Sequence, residues 1–124
     1  RVQLLVRSAE RAQETLTTIR GHDAAPEVLA VESAEEVTAA DVLVSTVPAE
    51  AQDPGLLART GAALLFEALY DPWPTPLAVA VQAAGGQVIS GLQMLLHQAF
   101  TQGEQLTGLP APKEAMRAAL DAVP

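Results

Sequence analysis

Val88-Ile-Ser-Gly-Leu-Gln-Met-Leu-Leu-His-Gln98 decides the fold. A short β-branched run stops at Ser90-Gly91, and a helical pattern begins at once. Gly91, Met94 and Gln98 stand at i, i+3 and i+7, so they share one face of that helix. The face offers a bare backbone, a soft thioether and one neutral amide. A helix that only packs would carry Leu or Ala there. The stretch therefore reads as a strand feeding a helix that lies beside a ligand, with Leu92, Leu95, Leu96 and Ala99 as its packing side.

The same strand-then-helix grammar runs through the rest of the chain. Val2 to Val6 reads as a strand, and Ser8 can cap a helix running to Arg20, with Gly21 as its stop. Val28 to Val31 is a second strand, after which Ser33 caps a short turn. Asp41 to Ser45 is a third strand, followed by the loop Thr46-Val47-Pro48. A brief helix over Gly55 to Arg59 leads to a fourth strand, Ala63 to Ala68. Tyr70-Asp-Pro-Trp-Pro-Thr-Pro76 interrupts regular structure. Thr75 before Pro76 then makes a helix start, because Pro suits the first helical position. That helix ends near Gly85-Gly86. Val88-Ile89 is the fifth strand, the helix from Gly91 ends near Gly108, and Lys113 to Val123 forms a terminal helix.

Strands that are mostly apolar throughout, alternating with helices, imply an α/β fold with a parallel sheet covered on both faces. Ligands of such sheets sit beyond the carboxyl ends of the strands. Arg7-Ser8, Thr46-Val47-Pro48, Tyr70-Asp71 and Ser90-Gly91 all fall at such ends and are expected to line one edge.

The chain has 124 residues, enough for one domain. It has no Cys, which excludes disulfides, thiolate catalysis and Cys-based metal sites. His22 and His97 are far apart, so no metal site is expected. No run approaches the roughly 18 apolar residues of a membrane span, and no leader is expected before the first strand. A cytoplasmic setting without membrane contact is expected. The net charge of −8 argues against nucleic acid. Residues 1–20 nevertheless carry a balance of +2, from Arg1, Arg7, Arg11 and Arg20 against Glu10 and Glu14.

Arg7 ends a strand, and Arg11 is expected in the first turn of the following helix, where the macrodipole disfavours cations. An anion bound between them would account for both. In dinucleotide folds an Arg at this strand end serves a 2′-phosphate, which favours NADP over NAD. A solvated helix face with ordinary charge pairs explains the same residues, and the residues alone leave both readings open. Thr46-Val47-Pro48 can flank a cofactor or simply connect elements. Tyr70 can donate its hydroxyl to a substrate or keep a wet tip on a buried ring. Trp73 reads as packing. Gln98 needs a partner for its amide, either a ligand or a backbone carbonyl. No Ser–His–Asp set, P-loop, G-x-G-x-x-G or metal motif is present, and no general base has a partner to tune it.

Together these residues resemble a known family. Tyr70-Asp-Pro-Trp-Pro-Thr-Pro-Leu77, Ala84-Gly85, Ser90-Gly-Leu-Gln-Met-Leu-Leu-His-Gln98-Ala99 and Leu106-Thr-Gly108 are similar to the carboxyl-terminal half of shikimate dehydrogenases, in the actinobacterial flavour. Val6-Arg-Ser-Ala-Glu-Arg11 resembles that family's Asn-Arg-Thr-x-x-Arg motif for NADP. Ser45-Thr-Val-Pro48 resembles its Asn-Ala-Thr-Pro turn. Val6, Ser8, Val47, Glu50, Gly103 and Leu106 depart from the common residues.

The resemblance implies a Rossmann-like doubly wound parallel sheet with C-terminal helices from about residue 91. Residues 1–124 would be a partial NADP-binding domain, lacking the first strand and the glycine-rich turn. That strand would lie between the strand at Val2 and the one at Asp41. The implied reaction is the reversible NADP-dependent reduction of 3-dehydroshikimate to shikimate, in the shikimate pathway of aromatic amino-acid biosynthesis. Arg7, Ser8 and Arg11 would hold the 2′-phosphate, and Thr46, Val47 and Pro48 would border the cofactor. Leu69, Gly91 and Met94 would lie near the nicotinamide, and Tyr70 and Gln98 would touch shikimate. The family's catalytic Lys and Asp belong to an amino-terminal substrate domain, so no catalytic residue is expected in this chain and the chain alone is expected to be inactive. A homodimer is compatible with this reading. Two alternatives stand beside it: a quinate/shikimate dehydrogenase paralogue using NAD, and a non-catalytic NADP-binding or sensing module.

Overall fold

A computed structural model describes residues 1–22 and 28–122. Five strands alternate with five helices: β1 (Val2–Leu5), α1 (Gln13–Arg20), β2 (Val28–Val31), β3 (Val42–Ser45), α2 (Gly55–Thr60), β4 (Leu64–Glu67), α3 (Pro76–Ala83), β5 (Gln87–Ile89), α4 (Gly91–Thr107) and α5 (Lys113–Asp121). The expected end of the last helix at Val123 lies outside the described residues. Every strand pair is parallel, as short apolar strands separated by helices require.

The strands form two sheets, β1-β2 and β3-β4-β5. The division falls between β1 and β3, the place where the family resemblance puts a further strand. Each of these two strands has one unpaired edge among the described residues. Val2, Leu5, Val42 and Val44 remain exposed, Val44 by 61%. One side chain crosses the division. Gln3 Oε1 accepts from the Thr38 N–H at 3.0 Å and from its hydroxyl at 3.1 Å, which holds the start of β1 to the segment leading into β3.

The main core lies on one face of β3-β4-β5. Leu65, Val88 and Leu43 share a register across that sheet and pack against Leu56 and Leu57 of α2 and Leu77, Ala78 and Val81 of α3. The opposite face carries Val44, Phe66 and Ile89 in register. There Phe66 and Ile89 line a cavity against α4, while Val44 stays open. The expectation of full cover on both faces therefore holds for the first face only. In the β1-β2 sheet, α1 buries Leu16 near Val31.

Boundaries follow the chemistry of the caps. Thr75 caps α3 by accepting from the Ala78 N–H at 3.3 Å, with Pro76 at the first helical position. Gly61 and Gly108 end α2 and α4 in the left-handed region, at φ of 64° and 68°. The helix expected from Ser8 begins only at Gln13. Ser8 Oγ does accept from the Arg11 N–H at 3.4 Å, but Glu32 takes the Ala9 N–H at 2.5 Å, and Gln13 N–H closes a tight turn on the Glu10 carbonyl at 3.2 Å. Residues 9–12 are turn, so Arg11 sits before the helix rather than in its first turn.

Candidate functional site

The carboxyl ends of β3, β4 and β5 bring three of the expected segments together. Ser45 ends β3, and its carbonyl accepts from the Ala68 N–H at 2.9 Å, which sets the exit of β4 beside the loop Thr46-Val47-Pro48. Thr46, Val47 and Pro48 are exposed, and Pro48 closes a tight turn by accepting from Ala51 N–H at 2.9 Å. Leu69 follows β4, with its carbonyl accepting from the Gly91 N–H at 3.2 Å. Tyr70 comes next and is 50% exposed.

Gly91 is buried, and the reason for the glycine is its neighbour. A Cβ built there would stand 2.2 Å from the Ala68 carbonyl oxygen and 2.9 Å from that of Leu69. The bare backbone expected to face a ligand therefore faces the loop after β4. Met94 and Gln98, one and two turns further along α4, are half-buried and exposed respectively. Both line an open cavity of about 740 Å³ floored by Phe66 and Ile89, to which α5 adds Arg117. Gln98 has no hydrogen-bond partner among the described residues, so its amide is available to a ligand.

Two other expectations need correction. Leu95, assigned to the packing side of α4, is 39% exposed, because α4 covers only part of its sheet face. Trp73, expected to pack, is 43% exposed in the loop before α3. His97 is exposed and meets Phe100 edge-on, with centroids 5.4 Å apart, which fits a helix-surface residue. No cluster of His, Asp and Glu able to hold a metal occurs among the described residues. No helix among them is long and apolar enough to cross a membrane.

Arg7, Ser8 and Arg11 form a second group, at the carboxyl end of β1. Val6 N–H extends the pairing with β2 by donating to the Val31 carbonyl at 2.9 Å, so Arg7 leaves the sheet at its edge. Both arginines are exposed, and neither is in an ion pair among the described residues. Two cations four residues apart, held on a hydrogen-bonded turn and without an ion-pair partner among the described residues, suit a phosphate. Guanidinium groups bind such an anion through charge-assisted, bidentate hydrogen bonds.

A buried polar cluster beneath the first group is one that sequence reasoning misses. Glu67, at the last position of β4, is 0% exposed. Its Oε2 accepts from Gln52 Nε2 at 2.7 Å and from the Thr75 hydroxyl at 2.9 Å, and its Oε1 accepts from the Leu69 N–H at 3.1 Å. Gln52 also donates to Ser45 Oγ at 3.1 Å and accepts from the Leu77 N–H at 3.1 Å. The one signal in the sequence is an acid closing the apolar run Leu64-Leu65-Phe66, since a buried carboxylate must be partnered. The groups gathered at these strand ends are cations, amides, hydroxyls and apolar walls, a set whose chemistry suits holding a ligand.

Comparisons with known proteins identify the family and the fold. Residues 91–120 match the family model described as Shikimate 5'-dehydrogenase C-terminal domain. The curated shikimate dehydrogenase (NADP(+)) of Pelodictyon phaeoclathratiforme is 31% identical over 128 residues, covering 96% of this chain and 45% of that protein. The crystal structure of Mycobacterium tuberculosis shikimate dehydrogenase superposes with a TM-score of 0.83 at 52% identity, over 98% of this chain and 47% of that one. The shikimate 5-dehydrogenase of Mycobacterium fortuitum gives a TM-score of 0.79 at 48% identity, over 94% of this chain and 45% of that one. The chain thus spans a little under half the length of these relatives.

Proposed function

We propose, from the premise that this chain belongs to the shikimate dehydrogenase family, that it is the NADP-binding part of an enzyme that reversibly reduces 3-dehydroshikimate to shikimate. Residues 1–124 form its partial Rossmann-like domain, with the C-terminal helices from about residue 91. The enzyme acts in the cytoplasm on a small-molecule substrate. The catalytic Lys and Asp come from a substrate domain outside this chain.

The observation that carries the reading is the pair Arg7 and Arg11, exposed on the turn after β1 and free of ion pairs among the described residues. An adenosine 2′-phosphate is the group that NADP has and NAD lacks, and a strand-end Arg is the side chain that accommodates it. Ser8, whose hydroxyl already fixes the turn through Arg11 N–H, adds a further polar contact. The residues present therefore fit NADP.

Within this reading Thr46, Val47 and Pro48 form one wall along the cofactor, and Leu69 with Met94 forms the wall at the nicotinamide end. Gly91 lets α4 dock close enough to Leu69 for Met94 to reach that end. Tyr70 and Gln98 donate hydrogen bonds to the hydroxyls or carboxylate of shikimate, Tyr70 from the loop and Gln98 from the cavity wall. NADPH held by these residues would supply a hydride to the ketone of 3-dehydroshikimate, and a proton from a group outside this chain would complete the secondary alcohol. The work of this chain is to orient the two reactants and to keep the reaction face apolar.

The test is shikimate oxidation by the intact protein that carries this chain, followed by nicotinamide absorbance with NADP and with NAD. NADP-dependent oxidation is expected. Absence of turnover on shikimate with either cofactor would overturn the reading.

A further inference from the structure

Glu67 is the one ionisable side chain that is fully buried among the described residues, and nothing in the proposed function uses it. Burying a carboxylate is costly unless donors converge on it, and an apolar residue of similar size would fill the same space at lower cost. What the carboxylate adds is a set of directed bonds. Gln52, at 2.7 Å, follows the loop Thr46-Val47-Pro48. Thr75, at 2.9 Å, caps α3. The Leu69 N–H, at 3.1 Å, begins the loop that carries Tyr70. The Leu69 carbonyl, on the next peptide, accepts from the Gly91 N–H, so the start of α4 is tied through Leu69 to the same carboxylate.

We propose that Glu67 is a positioning residue for hydride transfer. Its carboxylate fixes residues 46–52 against residues 68–75, the two loops that border the nicotinamide in the function proposed above, on which this inference rests. The bonds tie the end of β4 to the loops on both sides of it. Leu69 is 2, Thr75 is 8 and Gln52 is 15 residues from Glu67. Gln52 carries the link on to Ser45 at the end of β3. A small displacement between two reactants held by separate loops is enough to slow a reaction, because the gain from proximity depends on near-attack geometry.

The experiment compares wild type, Glu67→Gln and Gln52→Met in the intact protein. Glu67→Gln keeps the volume but leaves one acceptor oxygen and, whichever way the amide turns, sets its NH2 group against at least one of the donors of Gln52, Thr75 and Leu69. Gln52→Met removes one donor and leaves the carboxylate the other two, so it keeps the test open if Glu67→Gln fails to fold. For Glu67→Gln, kcat for shikimate is expected to fall on the order of a hundredfold, with KM for NADP within about twofold. For Gln52→Met the fall is expected to be about tenfold. In both variants the isotope effect on kcat, with deuterium on the shikimate carbon that gives up hydride, is expected to rise. Amide exchange in residues 46–52 and 68–75 is expected to rise together, while exchange in residues 7–20 stays as in wild type.

An unchanged kcat in an active, folded variant overturns the positioning role alone. So does a fall in kcat that matches a smaller active fraction with an unchanged isotope effect, since that is what simple loss of folding gives. Exchange that rises in one loop only overturns it as well. A wild-type protein that turns over no shikimate overturns the functional reading, and the positioning role with it.

Discussion

Gly91 and Leu69 meet backbone to backbone: the Gly91 N–H donates to the Leu69 carbonyl at 3.2 Å, with no room for a side chain between them. A Cβ on Gly91 would stand 2.2 Å from the Ala68 carbonyl oxygen, closer than any ordinary contact, and backbone on both sides leaves nothing flexible to yield. Gly91→Ala is therefore expected to destabilise by about 1–3 kcal/mol through overpacking. Gly103 lies in the same helix, and a Cβ added there would meet nothing within 4 Å. Gly103→Ala is expected to stabilise by about 0.5–1 kcal/mol, because Ala loses less backbone freedom in a helix. Urea denaturation of both variants beside wild type checks the pair. A Gly91→Ala protein as stable as wild type would show that α4 is not held by this approach.

Gln98 is exposed on the cavity wall and its amide has no partner among the described residues. Its removal should leave the fold alone and weaken the ligand it touches. Gln98→Ala is expected to raise KM for shikimate by the loss of about 0.5–1.5 kcal/mol, one ordinary hydrogen bond, with KM for NADP unchanged. Steady-state kinetics with each reactant varied in turn separates the two. A shift in KM for NADP instead would move Gln98 to the cofactor.

Asp53 is an exposed carboxylate at the entry to α2. Its carboxylate accepts from the Gly55 N–H at 2.8 Å and pairs with Arg59. The Gly55 hydrogen bond first and the Arg59 guanidinium second hold its pKa below the usual aspartate range. A carboxylate whose pKa is lower folded than unfolded contributes stability above its unfolded pKa and loses it as pH falls towards the folded one. Asp53→Asn keeps an acceptor for Gly55 and removes the charge. The stability gap between wild type and Asp53→Asn is expected to be constant at neutral and mildly acidic pH and to close below the usual aspartate range. Denaturation midpoints measured across that range check it. A gap that is flat throughout would remove the charged cap from the account.

How much of this is legible in the sequence depends on range. Thr75-Pro76 announces α3 correctly because a cap and its target lie three residues apart. The five strands are legible because apolar runs between turn residues need no distant partner to be recognised. The start of α1 is not, because Glu32 reaches back 23 residues to take the Ala9 N–H and leaves residues 9–12 as a turn. Gly91 reads in the sequence as an opening for a ligand, whereas its cause is the backbone of Ala68 and Leu69, brought there by the pairing of β4 with β5. Glu67 escapes sequence reasoning because its donors come from three segments that only the folded sheet assembles. Trp73 and Leu95 belong inside by composition and lie outside by geometry.

The proposed NADP preference requires that Arg7, at the end of β1, contact the 2′-phosphate. The most direct measurement is the dissociation constants of NADP and NAD for the intact protein and its Arg7→Ala variant, at one fixed salt concentration. A charge-assisted contact of about 1.5–3 kcal/mol to the phosphate predicts that NADP weakens by roughly tenfold to a hundredfold while NAD stays near its wild-type value. Equal weakening of both cofactors, or none of either, would contradict the account.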